Sequence, residues 1–493
     1  MEFLLSIDQG TSGTKAVIID REGKLAARGY SELFSQYPRE GYVEQGPEEI
    51  YQNILTALKI CMNEFRPRYK EQNIRACGIS NQRETFLLWD KQGKPLTNAV
   101  VWQCKRSGEI CDELKKAGYE NHINEKTGLI IDPYFSGTKL AWLLRHNEAV
   151  KDASQKSNAF FGTIDTWLLY KLTGGKIYKT DITNASRTLL YNIHTLEWDE
   201  DLKKLLSAEH LHFPEVVHSS SLFGESDFEG ILSSPVPINA MIGDSHSAAF
   251  GEKCFSSGSA KATLGTGSSF LMNVGRTPVQ SKNGLVSTIC YSAQGKVLYA
   301  LEGIIVSCGA PVKWLKDNLN LIASAGETEK LALEVEDAGG VCLVPAFAGM
   351  GAPYWKMDAK GAITGLTFRS DKRHIVRAAL DAIAYQIKDI VTVMEQDSGT
   401  QVKLVSFDGG ITSNTYVMQS IAALLGISIR TISIDDVSAI GAALLAGLGC
   451  GVYRDTQEIE EISFSEKTIP PLQENKKIFE NYQSWKETVL KIV

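Results

Sequence analysis

One arrangement of residues occurs twice in this chain and limits its fold more than any other feature. It consists of an apolar strand, a turn of small polar residues and a second apolar strand. The first copy spans residues 3–20, with the turn at 8–13 (Asp-Gln-Gly-Thr-Ser-Gly). The second spans residues 260–274, with the turn at 265–269 (Gly-Thr-Gly-Ser-Ser). The repeat predicts two related halves, each opening with a β-hairpin.

The chain has 493 residues, which exceeds what one hydrophobic core supports, so at least two domains are expected. We place the domain boundary just before Ala248, giving domains at 1–247 and 248–493. A proline predicts a helix from Pro47 to about residue 65, and apolar spacing predicts a second, long helix over 374–395.

Composition excludes several classes of protein. The formal net charge is −7, from 51 basic and 58 acidic residues, which argues against nucleic acid as a partner. The longest apolar stretch, 439–451, is shorter than the roughly 20 residues that span a bilayer, so it predicts a buried helix and no membrane partner. No basic-then-apolar signal pattern appears before the predicted first strand, and the nine cysteines contain no Cys-x-x-Cys pair. A cytoplasmic protein with neither a disulfide framework nor a zinc site is expected.

The two small-residue turns are candidate phosphate sites, because backbone N–H groups can converge on an anion where side chains are small. Either turn alone is more often a plain hairpin than a phosphate site. Their matching positions in the two halves favour a shared cleft that both turns face.

A third candidate is the strand 404–407, which ends in Asp408-Gly409-Gly410 before a helix with Ser413 as its predicted N-cap. Glycines at such a turn allow a flat adenine ring to approach the backbone, although a tight turn with positive φ explains them equally well. The sequence contains no Gly-x-x-x-x-Gly-Lys-Ser/Thr loop and no protein-kinase motif set. A nucleotide site here requires another architecture.

Long blocks of residues resemble one family over practically the whole chain. The chain is identified as a member of the FGGY family of carbohydrate kinases, and within it resembles the members that phosphorylate glycerol. The matching blocks are 79–85, 101–104, 127–139, 183–188, 344–347 and 351–355. The resemblance implies an α/β fold of two actin-like domains, of the ribonuclease H-like type found in hexokinase and heat-shock chaperone ATPases, with the active site in the cleft between them.

The resemblance also assigns roles to individual residues. It implies a polyol pocket lined by Arg83, Glu84, Trp102, Tyr134, Asp244 and Ser245. These residue types suit a polyol, since Arg and Glu bind hydroxyls and aromatic rings cover the C–H face. It implies that Asp244 is the general base and that Asp8 and Asp244 hold Mg²⁺ beside the transferred phosphate.

For the nucleotide, the resemblance implies an ATP site built from three turns. Its residues are Thr11, Ser12 and Lys15 in the first, Thr266 and Gly267 in the second with Gly309 beside them, and Gly410 and Asn414 at the adenosine. The implied reaction is ATP-dependent phosphorylation of a short polyol at a terminal hydroxyl, with glycerol to glycerol 3-phosphate as the first expectation. The family also implies a homo-oligomer, a dimer or a tetramer.

Two pocket positions depart from the family pattern. Ser245 stands where the family has glutamine, and Ser269 stands where it has phenylalanine. Phe270 follows one residue later and, on a strand, points to the opposite face. These changes predict a roomier pocket, so erythritol, threitol, dihydroxyacetone or a ketopentose stay open as substrates.

Two further hypotheses lie outside small-molecule kinases. One is a chaperone-like ATPase that lacks an acceptor, and the other is a filament-forming protein. The presence of both Asp8 and Asp244 argues against the first. A filament-forming protein would have no use for the cluster of Arg83, Glu84 and Trp102, which argues against the second hypothesis.

Overall fold

Two mixed β-sheets with flanking helices organise the computed structural model, which describes residues 2–432, 436–472 and 476–493. The first sheet has six strands, in the spatial order Ser220–Ser226, Val236–Gly243, Ile74–Asn81, Phe3–Gln9, Gly13–Asp20 and Leu25–Glu32. The second has seven, in the order Val286–Ala293, Lys296–Ile305, Ser268–Gly275, Ser259–Leu264, Leu404–Asp408, Ile429–Ile432 and Glu466–Ile469.

The two sheets share one pattern of strand directions. In the first, Phe3–Gln9 pairs antiparallel with Gly13–Asp20 and parallel with Ile74–Asn81. In the second, Ser259–Leu264 pairs antiparallel with Ser268–Gly275 and parallel with Leu404–Asp408. Each half therefore opens with the predicted hairpin and continues with parallel strands. The weak repeat in the sequence corresponds to a repeat of topology.

Most predicted elements agree with the structure. The first helix is Pro47–Phe65, as predicted. The long helix is Lys372–Ser398, which extends beyond both predicted ends. The Asp371 carboxylate accepts the Arg373 N–H at its start, and Gly399 adopts the left-handed conformation (φ +65°) at its end.

The remaining elements complete the two halves. Four short strands form a further sheet, in the order Glu44–Gln45, Ala99–Val100, Phe86–Trp89 and Phe160–Thr163. Three two-stranded sheets pair Tyr191–Asn192 with Glu197–Trp198, Glu215–Val217 with Lys179–Asp181, and Cys342–Val344 with Ala362–Thr364. The other helices are Gly108–Lys116, Glu120–Thr127, Ser136–His146, Glu148–Gln155, Ile164–Leu172, Ile182–Ala185, Glu200–Leu205, Asp244–Gly251, Ala310–Asp317, Glu327–Leu333, Thr415–Leu425, Val437–Gly449, Thr456–Glu460 and Lys476–Ile492, with 3-10 turns at Glu71–Asn73 and Gly410–Ser413.

Two buried helices, Asp244–Gly251 and Val437–Gly449, join the halves through one apolar core shared by both main sheets. They pack so closely that a Cβ added at Gly441 would lie 1.8 Å from the Ser247 carbonyl oxygen. The apolar segment predicted as a buried helix is helical to residue 449 and buried to residue 448, while its last two residues, 450 and 451, lie beyond the helix. The predicted division between residues 247 and 248 falls inside Asp244–Gly251 and stays a prediction.

The carboxyl ends of the central strands position the site. Phe3–Gln9, Ile74–Asn81 and Val236–Gly243 are adjacent and parallel, and they end at one edge of the first sheet. Such an edge is where open α/β sheets place their ligands. Within the described parts of the chain, no helix combines the length and apolarity needed to cross a membrane.

Candidate active site

Two aspartates stand at that edge. Asp244 begins the helix that follows Val236–Gly243, and Asp8 lies on the first strand. The Asp244 Oδ1 atom accepts the Ser245 N–H at 2.6 Å. The Asp244 side chain is 39% exposed, but its partial burial still raises its pKa. The positive charge of Arg83 opposes this rise, and the negative charge of Asp8 adds to it. Burial also raises the pKa of Asp8, whose Oδ1 has no hydrogen-bond partner among the described residues.

A buried network of four charges backs this pocket. Arg83 Nε lies 3.4 Å from Asp244 Oδ1, and Arg83 Nη2 donates to Glu302 Oε1 at 2.8 Å. Arg187 donates from Nε to Glu84 Oε1 at 2.6 Å and places Nη1 2.7 Å from Glu302 Oε2. Buried charges need such partners, because each is costly alone in a low dielectric.

The network shifts its two glutamates in opposite directions. Burial would raise the pKa of Glu302, but Arg187 and Arg83 outweigh it and hold that pKa well below its ordinary value. Burial dominates at Glu84, where the same two arginines offset it only in part and the pKa stays raised. Glu302 is therefore a fixed anion that orients both arginines.

A tight turn aims the predicted Arg83–Glu84 pair. The Thr85 N–H donates to the Arg83 carbonyl at 2.7 Å, across Glu84, whose φ is +60°. The left-handed conformation is uncommon for a non-glycine residue and marks a position that its surroundings enforce. Ser136 Oγ holds the turn by donating to the Glu84 carbonyl at 2.7 Å.

An aromatic wall faces the charges. The rings of Trp102 and Tyr134 meet edge to face with centroids 5.4 Å apart. Trp102 Nε1 donates to Thr11 Oγ1 at 2.9 Å, which ties the wall to the first turn. The buried Lys139 Nζ donates to the Pro133 and Tyr134 carbonyls at 2.8 and 2.7 Å and fixes the loop. Burial lowers the pKa of Lys139 to about 8.

The two serines that depart from the family pattern lie together in this pocket. Ser245 Oγ and Ser269 Oγ are 3.0 Å apart, and Ser269 Oγ donates to Glu302 Oε1 at 2.7 Å. Phe270 is fully buried in the core of the second half, on the opposite face of its strand. It does not take the place of a phenylalanine at position 269.

The first turn presents backbone and small side chains. Gly10 N–H donates to the Gly13 carbonyl at 2.9 Å, and Ser12 is exposed. Lys15, opposite Asp8 in the hairpin, lies 2.8 Å from Asp436 Oδ1 of the second half. The two halves thus meet beside this turn through an ion pair.

The second turn has the same character. Gly265 N–H donates to the Gly267 carbonyl at 3.0 Å, and Thr266 is exposed. Gly309 N–H donates to the Gly265 carbonyl at 2.9 Å, so the predicted Gly309 does lie beside the turn. Through Ser269, two residues after Gly267, this turn connects to Ser245 and so to Asp244.

The third turn requires one correction. The N-cap of helix Thr415–Leu425 is Asn414, whose Oδ1 accepts the Val417 N–H at 3.0 Å; Ser413 belongs to the preceding 3-10 turn. Gly409 has φ +93°, while an added Cβ at Gly410 would meet nothing within 4 Å. Gly410 therefore leaves open space beside the backbone, as an adenosine site requires.

Sequence reasoning assigned no role to three residues of this site: Arg187, Lys139 and Glu302. Arg187 and Lys139 lie inside blocks that carried the family resemblance. Glu302 interrupts an otherwise largely apolar strand, Lys296–Ile305, and a charge in a buried strand is itself a signal of a partner.

Comparison with known proteins decides the family. The model for the N-terminal domain of the FGGY family of carbohydrate kinases matches residues 3–251, and that for the C-terminal domain matches 260–450. The chain belongs to the FGGY family of carbohydrate kinases. It is an ATP-dependent kinase of this class, with the expected two-domain actin-like α/β fold and a small-molecule acceptor.

Relatives and solved structures place the chain within the FGGY family. Glycerol kinase 2 of Thermotoga maritima is 44% identical over 490 residues, covering 99% of this chain and 98% of that protein. Glycerol kinase of Desulfitobacterium hafniense is 44% identical over 495 residues, covering 100% and 99%. The crystal structure of Plasmodium falciparum glycerol kinase with ADP has a TM-score of 0.94 at 35% identity, covering 100% and 98%. Gluconate kinase from Lactobacillus acidophilus, 21% identical with a TM-score of 0.89, shares the fold.

Proposed function

We propose that this FGGY kinase transfers the γ-phosphoryl group of ATP to a terminal hydroxyl of glycerol, forming glycerol 3-phosphate. The observation that carries the proposal is the position of Asp244. Its partly exposed carboxylate lies 3.4 Å from Arg83 and connects through Ser245 and Ser269 to the second turn. Relatives at 44% identity over nearly the whole chain carry the name glycerol kinase.

The pocket supplies the groups that this reaction needs. Asp244 accepts the proton of the attacking hydroxyl as its oxygen approaches the phosphorus. Arg83 and Glu84 bind the other hydroxyls, while Trp102 and Tyr134 cover the C–H face. Most of the rate enhancement then comes from orientation and charge stabilisation rather than from covalent chemistry.

Asp8 and Asp244 fit a magnesium ion. The buried Asp8 Oδ1 lacks a partner among the described residues, and each aspartate is an oxygen donor. The described parts of the chain contain no group of three or more His, Cys, Asp or Glu arranged to hold a metal. Mg²⁺ is commonly held by one or two carboxylates together with substrate phosphates, and when bound it neutralises charge on them.

The nucleotide is proposed to lie across the three turns. Thr11, Ser12 and Lys15 would hold its phosphates from the first half, and Thr266, Gly267 and Gly309 from the second. Gly410 and Asn414 would border the adenosine. Small residues at these positions leave backbone N–H groups accessible to phosphate oxygens.

A four-carbon polyol such as erythritol or threitol is a second candidate substrate. The observation that favours it is Ser269, a small side chain beside Asp244 with Phe270 directed into the core. Values of kcat/KM for glycerol, erythritol, threitol, dihydroxyacetone and ketopentoses decide between the candidates. A wide margin for glycerol would exclude the larger substrates.

Acceptor-dependent ADP release by the wild-type enzyme and by Asp244→Asn tests the reaction itself. We expect ADP release to require a polyol and to fall about 10³-fold in the variant, within the range typical of a lost general base. Binding of the polyol, measured by calorimetry, should persist. ADP release at the same rate with and without any acceptor would instead indicate a chaperone-like ATPase.

We further propose a homodimer or homotetramer in the cytoplasm, as the family resemblance implies. Light scattering of the purified protein gives the molar mass in solution. A monomer at micromolar concentration would contradict the first part of this proposal.

A further inference from the structure

The serine pair, Ser245 and Ser269, belongs to a closed set of contacts around the proposed base. Arg83 lies against Asp244 and donates to Glu302 Oε1, which also accepts the hydroxyl of Ser269. Ser269 contacts Ser245, whose N–H returns to Asp244. The position of each hydroxyl hydrogen in this set is therefore constrained by its neighbours.

Glu302 fixes the direction of the hydrogen bonds. A glutamate held as an anion by two arginines accepts hydrogen bonds and donates none. Ser269 must give its only hydroxyl hydrogen to Glu302 Oε1, at 2.7 Å. The 3.0 Å contact between the serines then has one polarity, in which Ser245 donates to Ser269.

This polarity leaves the serine pair without a free donor. A hydroxyl has one hydrogen and two acceptor lone pairs. Both hydrogens are committed, so Ser245 Oγ keeps two lone pairs and Ser269 Oγ keeps one. Ser269 is partly buried, and Ser245 is buried with 9% of its surface exposed. A bound molecule that reaches them meets acceptors.

We propose that the serine pair selects acyclic polyols over the corresponding ketoses, because a substrate hydroxyl can donate to it and a carbonyl oxygen cannot. The inference rests on the proposed function and concerns the substrate class of the same pocket. A carbonyl oxygen facing two acceptor oxygens gains no hydrogen bond and loses its bond to water. The serine pair distinguishes a hydroxyl from a carbonyl in substrates with the same number of carbons. The preference therefore applies to three-carbon and four-carbon substrates alike.

The test compares substrates of equal carbon number: glycerol with dihydroxyacetone, and erythritol or threitol with erythrulose. We expect the wild-type kcat/KM to favour the polyol of each pair at least about tenfold, as sites built to bind a hydroxyl reject its absence strongly. In Ser269→Ala, Ser245 loses its acceptor and its hydroxyl becomes free to donate. The kcat/KM for the ketose should rise, and the ratio of polyol to ketose kcat/KM should fall toward one.

Two further variants distinguish the polarity from a change of shape. Ser245→Ala removes the two acceptor lone pairs of Ser245 Oγ and creates no donor. The kcat/KM for the polyol should therefore fall, while that for the ketose should not rise. Ser292→Ala is the matched control, because Ser292 contacts Ser219, which donates to the buried Asp181 in a similar serine and carboxylate arrangement. Its preference should equal that of the wild type.

The outcomes separate the two proposals. Phosphorylation of ketoses as well as or better than of polyols, or an unchanged preference in Ser269→Ala, would overturn the selection and leave the kinase proposal standing. Failure to phosphorylate any member of the panel would overturn the proposed function and, with it, the selection.

Discussion

The proposed polyol pocket and the proposed nucleotide turns lie side by side but are built in opposite ways. The pocket consists of buried charged side chains, Arg83, Arg187, Glu84 and Glu302, each held by another. The turns consist mainly of backbone, with glycines at 265, 267, 309, 409 and 410 and with an exposed Thr266. Oriented side chains suit the binding of a small polyhydroxyl ligand, whereas converging backbone N–H groups suit the binding of a polyphosphate.

This contrast indicates which kind of substitution disrupts each part of the site. In the pocket, loss of one charge leaves others buried without a partner. In the turns, addition of a single methyl group obstructs a backbone that must stay accessible or strains one that needs positive φ. Three sets of substitutions test this contrast.

The largest effect is expected for Arg187→Met, which removes the arginine bound to Glu84 and one of the two bound to Glu302. We expect a loss of about 3–5 kcal/mol in the free energy of unfolding, measured by urea denaturation. Arg187→Lys is the matched control, since it retains the charge and should lose less. Unchanged stability in Arg187→Met would mean that the pocket does not depend on paired charges, and the comparison would break.

An intermediate effect is expected in the third turn, where two neighbouring glycines serve as each other's control. Gly409→Ala would place a Cβ 2.6 Å from the Leu264 carbonyl oxygen at φ +93°, so we expect a loss of about 1–3 kcal/mol in stability. Gly410→Ala meets nothing and should fold normally, but its methyl would occupy space proposed for adenosine. The KM for ATP should rise roughly tenfold, the effect of about 1.4 kcal/mol of overpacking. An unchanged KM would remove Gly410 from the nucleotide site.

The smallest effect concerns pH and His246, buried behind the pocket with Nε2 3.3 Å from Thr288 Oγ1. Burial, together with Arg83, Arg187 and Lys261, holds its pKa well below 6.5, against the opposing charge of Glu302. The folded state keeps His246 neutral while the unfolded state takes up a proton below pH 6.5. Stability contributed by this group is therefore present above that pH and lost as pH falls through it.

The expected slope from this group approaches about 1.4 kcal/mol per pH unit on the acid side. Urea denaturation between pH 7.5 and 5 should show a flatter decline for His246→Gln than for the wild type. His194→Gln, at an exposed histidine, is the control. Parallel curves for the wild type and His246→Gln would show that the network does not exclude a proton there.

The backbone-built part of the site was the easier to predict from sequence. Small residues between two apolar strands define a turn locally, so the hairpins at residues 3–20 and 260–274 agree with the structure. The cap of helix Thr415–Leu425 was misplaced by one residue because Ser413 and Asn414 are both good N-cap residues. Only the bond from Val417 N–H to Asn414 decides between them.

The charge network was harder to predict because its members come from distant parts of the chain. Arg83 and Glu302 are 219 positions apart, and Arg83 is adjacent in sequence to Glu84, whose carboxylate instead binds Arg187. No local pattern specifies such pairing. The family resemblance supplied the residues that are proposed to face the substrate, but not Arg187 and Glu302, which bind them from behind.

Glu302 binds the two arginines from across the division between the halves, and this limits how the enzyme can open. Separating the halves at the rear of the pocket would take both arginine partners away from the buried Glu302, which is costly in a low dielectric. We therefore expect the back of the pocket to stay closed when the site opens. Beside the first turn, Lys15 and the buried Asp436 form an ion pair between the halves, and Arg28 also approaches Asp436, so an opening on that side has to separate these charges.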